Sequence, residues 1–208
     1  MASTLLSLSL LVLLIAAGTV ESSVTKRSKS NPTDFIKSSC KATRYPVACV
    51  QSLSGYANAI RQSDQQLTIT ALSVSVSRAQ SCASFVKKMG LVKGMKPMEY
   101  STVRDCIDNM NDSVDRLNQS VKEFGLVGKG KGKGKDLAWH MSNVQTWVSA
   151  AITDQATCLD GFDGPHVDRK LNAAIRPKVV DVSQVTSNAL AFVNRFASRH
   201  RAAAALTN

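Results

Sequence analysis

Three histidines, five cysteines and one glycine-lysine run are the parts of this 208-residue chain whose residue types suit chemistry. His140, His166 and His200 are scattered, and Cys82 with His140 is the nucleophile–base pair that suggests itself. Those two would stand on separate helices without a supporting signature, so the chain is read as no enzyme. Neither an HExxH pattern nor a paired-Cys spacing occurs, which leaves no candidate metal site and no cofactor. Gly125 to Lys131 fits the GxxxxGK phosphate-loop pattern, but Gly132 follows where a Ser or Thr would hold magnesium. A charged helix also precedes it where a strand is needed. Gly125 to Lys135, with Gly128 to Lys135 as its core, is therefore read as a solvated basic loop.

The reading of the cysteines depends on where the chain goes. Leu5 to Ala17 is an almost unbroken apolar run followed by small residues around Gly18 and Ser22. This is the pattern of a signal peptide, assigned to residues 1–23, and it is too short to span a bilayer. No later segment reaches the roughly 18 apolar residues of a membrane span. The expectation is a secreted protein without a membrane span and with no nucleic-acid partner, although the formal net charge is +11. In an oxidising compartment Cys40, Cys49, Cys82, Cys106 and Cys158 make two bridges and leave one thiol. Spacing alone leaves many pairings open.

The elements that must position these residues read as helices. After a polar, basic lead-in at 24–34, two short helical pieces between Phe35 and Leu53 flank Thr43-Arg44-Tyr45-Pro46, and Cys40 and Cys49 are near enough across that turn to staple the arms. Ser63 is a candidate cap for a helix over 64–89. Residues 68–77 also alternate like a strand, but no second strand of comparable quality exists. Further helices are expected over Pro97–Phe124, 136–159 and 179–199, the first carrying Val103, Ile107, Met110, Val114, Leu117, Val121 and Phe124 at spacings of three and four. Amphipathic helices in this number make an all-α fold, an antiparallel four-helix bundle preceded by a helical hairpin. In an up-and-down bundle Cys106 and Cys158 lie at one end, and a bridge there would contribute about 4 kcal/mol. Cys82 is then the odd, buried one.

On the helix after Cys106, Asp108, Asp112, Asp115 and Glu123 fall within a sector of about 80°, roughly opposite the apolar side, at about 100° per residue. Four carboxylates thus line one expected solvent face of a basic protein. Two glycosylation sequons, at Asn111 and Asn118, stand beside it.

The run Phe35-Ile-Lys-Ser-Ser-Cys-Lys-Ala-Thr-Arg-Tyr-Pro-Val-Ala-Cys49 closely resembles the N-terminal signature of the plant invertase and pectin methylesterase inhibitor family. So do Asp105-Cys106, Trp147 to Thr153, Thr157-Cys-Leu-Asp-Gly-Phe162 and Thr186 to Ala191. The resemblance implies a disulfide-stapled hairpin on a four-helix bundle, with Cys40 paired to Cys49 and Cys106 to Cys158. It implies a non-catalytic secreted protein of the apoplast that blocks pectin methylesterase by covering the active-site cleft in a 1:1 complex. It also implies partner contacts at Asp108, Asp112, Thr157 and Asp160. Invertase inhibitors, the alternative, carry Pro-Lys-Phe before the last helix, where this chain has Pro177-Lys178-Val179. The family's usual tyrosine after the acidic position is Met110 here, and its fifth cysteine lies in the last helix rather than at Cys82.

Taken together, the expected layout is a leader at 1–23, a lead-in at 24–34, an inhibitor domain at 35–200 (hairpin 35–60, bundle 64–200) and a tail at 201–208. The basic surplus suits electrostatic retention on acidic pectin. A different class remains, a basic wall-binding or membrane-active protein working through Lys129 to Lys135.

Overall fold

Pro32, Pro46 and Pro97 are each the first residue of a helix, the position where a missing N–H costs nothing and a fixed φ helps. The computed structural model describes residues 31–128, 135–164 and 167–205. The expected leader, most of the lead-in, Lys129, Lys131 and Lys133 lie outside the described residues, as does His166. Helix α1 (Pro32–Cys40) is capped by Asn31, whose Oδ1 accepts the Thr33 N–H at 3.1 Å, so helix begins before Phe35. Helix α2 (Pro46–Leu53) folds back on it, and Cys40–Cys49 joins the arms with the Cα atoms 5.6 Å apart. A 3-10 turn (Ser54–Tyr56) and a one-turn helix α3 (Ala57–Ile60) follow.

The link into the bundle is tight. Arg61 and Gln62 are both left-handed, at φ 46° and 59°, an arrangement that disfavours any residue with a Cβ. Ser63 then caps α4 (Asp64–Met89) by accepting the Gln66 N–H. The stretch that could alternate as a strand is helix throughout. Thr68, Ser73 and Ser75 donate their hydroxyls to carbonyls four residues back, at 2.7 to 2.9 Å, which satisfies them inside a helix.

Helices α5 (Pro97–Gly128), α6 (Lys135–Gly161) and α7 (Arg169–Ala205) complete a four-helix bundle. Each neighbours the next, and α7 returns to pack on α4. Side-chain pairs fix the antiparallel register: Arg78 meets Asp181, Asp64 meets Arg195, and Gln145 meets Asn194. Among the described residues there is no strand.

Helix α5 runs four residues past Phe124, through Gly125, and α7 begins ten residues before Val179, with Pro177 inside it. Asp168 explains that start, since its Oδ1 accepts the N–H groups of Lys170 and Leu171. An interior proline costs about 3 kcal/mol. Continuing the helix buries Leu171 and Ile175, each worth about 1.5–3 kcal/mol, so burial offsets the proline.

The core runs the length of the bundle through Leu67, Leu72, Met110, Leu117, Val148, Val182 and Phe192, ending where Phe124 and Phe196 meet edge to face at 5.1 Å. Midway, fully buried Gln155 of α6 donates to Ser113 Oγ of α5 at 2.8 Å and to Thr186 Oγ1 of α7 at 3.2 Å. One polar contact joining three helices at a single level pins their register.

The hairpin is held by polar latches. Asn188 of α7 grips the Tyr45 backbone with both ends of its amide, donating to the carbonyl at 2.9 Å and accepting from the N–H at 3.1 Å. Arg195 reaches both Ser39 on α1 and Asp64 at the start of α4. The hairpin therefore sits at the end of the bundle where α4 begins and α7 finishes.

Candidate partner-binding face

The opposite end is closed by covalent chemistry. Cys106, near the start of α5, is bridged to Cys158, near the finish of α6, with the Cα atoms 4.3 Å apart across a sequence separation of 52. Glu99, buried beside this end, accepts the Lys96 N–H and the Asp168 N–H at 2.9 Å each, tying the turn before α5 to the start of α7. The residues flanking Cys106 and Cys158 are thereby fixed on rigid helix, which is the condition for a specific docking surface.

Asp108, Asp112, Asp115 and Gln119 are exposed along α5. Thr157 and Asp160, on either side of Cys158, are exposed on α6, and Thr157 spends its hydroxyl hydrogen on the Thr153 carbonyl at 3.0 Å. Asp108, Thr157 and Asp160 lie within two residues of one disulfide.

The expected fourth carboxylate of the exposed stripe is a correction. Glu123 lies at the α6 side of the sector, and its side chain is only 13% exposed. It accepts hydrogen bonds from His140 Nδ1 at 2.8 Å and Asn143 Nδ2 at 2.9 Å, both on α6. Burial opposes its charge, but those two bonds and the positive field of His140 hold the carboxyl below its ordinary range. The solvent face is therefore an aspartate row, and Glu123 belongs to the seam between α5 and α6.

A second carboxylate, not singled out in the sequence, stands under the row. Asp154 of α6 is 14% exposed and bonded to Arg116 Nε of α5 at 2.8 Å. Burial pushes its carboxyl above the ordinary range; Arg116 pulls it back, and the charge of Asp112 adds to the rise. Its position four residues before Cys158 was the signal for it, since residues four apart share a helix face.

Of the sequon residues, Asn111 is exposed and lines a groove of about 300 Å³ between α4 and α5, with Gln80, Ser84 and Val114. Asn118 is half-buried. Cys82 is free and buried, and burial pushes its thiol up to about 11, the field of Lys178 opposing and that of Asp181 assisting, so it is a poor nucleophile. Val179 is fully buried within α7, and Lys178 lies over the Phe85 ring at 5.6 Å. Among the described residues no group of side chains could hold a metal ion, and no helix is long and apolar enough to cross a membrane.

Known proteins match along nearly the whole chain. "Pectinesterase inhibitor 9" of Arabidopsis thaliana is 48% identical over 91% of this chain and 93% of its own length. The "21 kDa protein" of Daucus carota is 44% identical over 96% of this chain and 97% of its own. In three dimensions the crystal structure of a mutant form of a pectin methylesterase inhibitor from Arabidopsis superposes with a TM-score of 0.58, covering 74% of this chain and 92% of that one at 21% identity. The family described as plant invertase/pectin methylesterase inhibitor matches residues 34–192, and this chain belongs to it.

Proposed function

We propose that this protein is a secreted inhibitor of plant pectin methylesterase, acting in the cell wall by forming a 1:1 complex that covers the enzyme's active-site cleft. The observation that carries this reading is an exposed, disulfide-fixed face on a chain 48% identical to a pectinesterase inhibitor. Asp108, Asp112, Thr157 and Asp160 are its contact residues, and its action is steric, without a catalytic group of its own. The basic surplus of +11 aids retention among acidic pectin chains. A glycan on Asn111 would stand over the groove between α4 and α5, beside the aspartate row.

Purified protein titrated against a pectin methylesterase and against an acid invertase tests the reading. Stoichiometric loss of esterase activity is expected; loss of invertase activity alone would overturn it. The invertase alternative is the weaker one here, because the residue at the place of that branch's phenylalanine, Val179, is packed in the core.

The face is acidic, so affinity for a cleft that itself bears carboxylates strengthens as pH falls and protons are shared. Burial raises the Asp154 carboxyl beneath the row, and the charge of Asp112 adds to that rise. Asp108→Asn and Asp112→Asn should each flatten the dependence of affinity on pH. An unchanged profile in both variants rejects that account of the face.

A further inference from the structure

At the end of the bundle carrying the Cys106–Cys158 bridge, the turn between α4 and α5 makes a second surface of opposite sign. Gly94, at φ 84°, turns the chain so that Val92, Lys93 and Met95 stand across a cleft of about 320 Å³ from Lys170 and Leu171 of α7. Met89, Met95 and Leu171 give it an apolar floor. Lys87 and Lys88 in the last turn of α4, Lys93 and Lys96 in the turn, and Arg169 and Lys170 in the first turn of α7 are all exposed. None of these six enters an ion pair, although seven ion pairs form elsewhere among the described residues.

The two carboxylates in the cleft are already engaged. Glu99 accepts one backbone N–H with each oxygen, and Asp168 Oδ1 accepts two. Lys93 and Lys170 line the cleft opposite those two anions, and Lys87, Lys88, Lys96 and Arg169, exposed in the flanking segments, supply the positive surplus beside the apolar floor. Nearby Leu91 and Tyr100 are 78% and 52% exposed and offer further apolar surface.

We propose that this cleft binds a run of free uronic acid residues in a linear polysaccharide, the lysines pairing with its carboxylates and the apolar floor taking the C–H faces of its rings. Cations without intramolecular partners leave their charge to an external anion, and apolar surface suits a sugar ring better than it suits bare phosphate. The proposal rests on the esterase-inhibitor reading for the choice of anion. Pectin methylesterase hydrolyses each neutral methyl ester, with water, to methanol and a carboxylic acid that ionises. The cleft therefore holds the product of the reaction and ignores its substrate, which concentrates the inhibitor where the enzyme has already acted.

The test is binding of the full chain to de-esterified polygalacturonate and to fully methyl-esterified pectin, as immobilised ligands at several salt concentrations. The variant Lys93→Ser/Lys170→Ser is compared with Lys41→Ser/Lys122→Ser, which removes equal charge elsewhere. The wild type should bind the acidic polymer alone. The cleft variant should lose about tenfold in affinity and the control less than about twofold. Equal losses in the two variants, or equal binding to both polymers, overturn the proposal. Esterase inhibition is measured in parallel. If the cleft variant inhibits poorly while still binding polygalacturonate, the surface belongs to the enzyme contact and the proposal is overturned. A wild type that inhibits no esterase defeats the functional reading separately.

Discussion

The two ends of the bundle are secured by different means. Where α5 begins and α6 finishes, a disulfide spans 52 residues of sequence and Glu99 ties two connections together. At the other end the hairpin carries its own disulfide across nine residues, but it is held to the bundle by Asn188 and Arg195 through hydrogen bonds. Covalent closure sits next to the candidate face, where geometry must be kept. Polar latching sits where Ile36, Leu53 and Ile60 of the hairpin already reach the common core, and it fixes the orientation in which that apolar surface docks.

Removing each bridge is the sharpest way to separate the ends. In the chain-entropy account the long loop of Cys106–Cys158 contributes about 4 kcal/mol and the short loop of Cys40–Cys49 about 2.6 kcal/mol. Double serine variants measured by denaturant unfolding should show that order. Equal losses would mean that the hairpin bridge does more than restrict the unfolded chain.

Asn188→Ala should cost about 2 kcal/mol, since it takes the acceptor from a part-buried Tyr45 N–H and one of two donors from the Tyr45 carbonyl, which keeps the Cys49 N–H. Amide exchange should accelerate in α1 and α2 and stay slow in α5 and α6. A uniform acceleration would abolish the distinction between latched hairpin and self-sufficient bundle.

Acid should act on the bundle side of the same end. The folded Glu123 carboxyl is lowered, so its pairing stabilises the protein above the ordinary glutamate range and that stability is lost as pH falls through the folded value. Glu123→Gln should therefore reduce the acid-side slope of unfolding free energy, with hairpin exchange unaffected. The smallest effect is expected at the link. Arg61→Gly relieves a left-handed residue, but it gives up an exposed Nε bond to the Asn58 carbonyl and gives the unfolded chain more freedom, for a net change within about 1 kcal/mol in thermal unfolding.

The helices themselves were legible because their signals are local. Ser63, Pro46 and Pro97 act on their own first turns, and the spacing of three and four from Val103 to Phe124 needs no knowledge of a partner. Where a boundary depended on a distant contact, the sequence stopped short. Pro177 looks like a helix breaker until Leu171 and Ile175 are seen buried on its far side. Gly125 looks like the start of a loop, although the helix carries on through it. The candidate site divides in the same way. The aspartate row follows from the period of one helix, whereas Asp154 acquires its meaning from Arg116 and Asp112 on another.

The sequence by itself determined the helical class, the hairpin turn, the aspartate row and, through its family resemblance, the two disulfide pairs. Those follow from short-range periodicity and from motifs carried whole in the chain. Only the tertiary structure decided that Glu123 leaves the row for the seam with α6, that Asn188 carries the hairpin, and that the lysines before α5 and at the start of α7 face one cleft. Each of these depends on which face of a helix meets its neighbour, and that is set by the packing of the whole bundle, where a rotation of some tens of degrees turns a solvent charge into a buried pair.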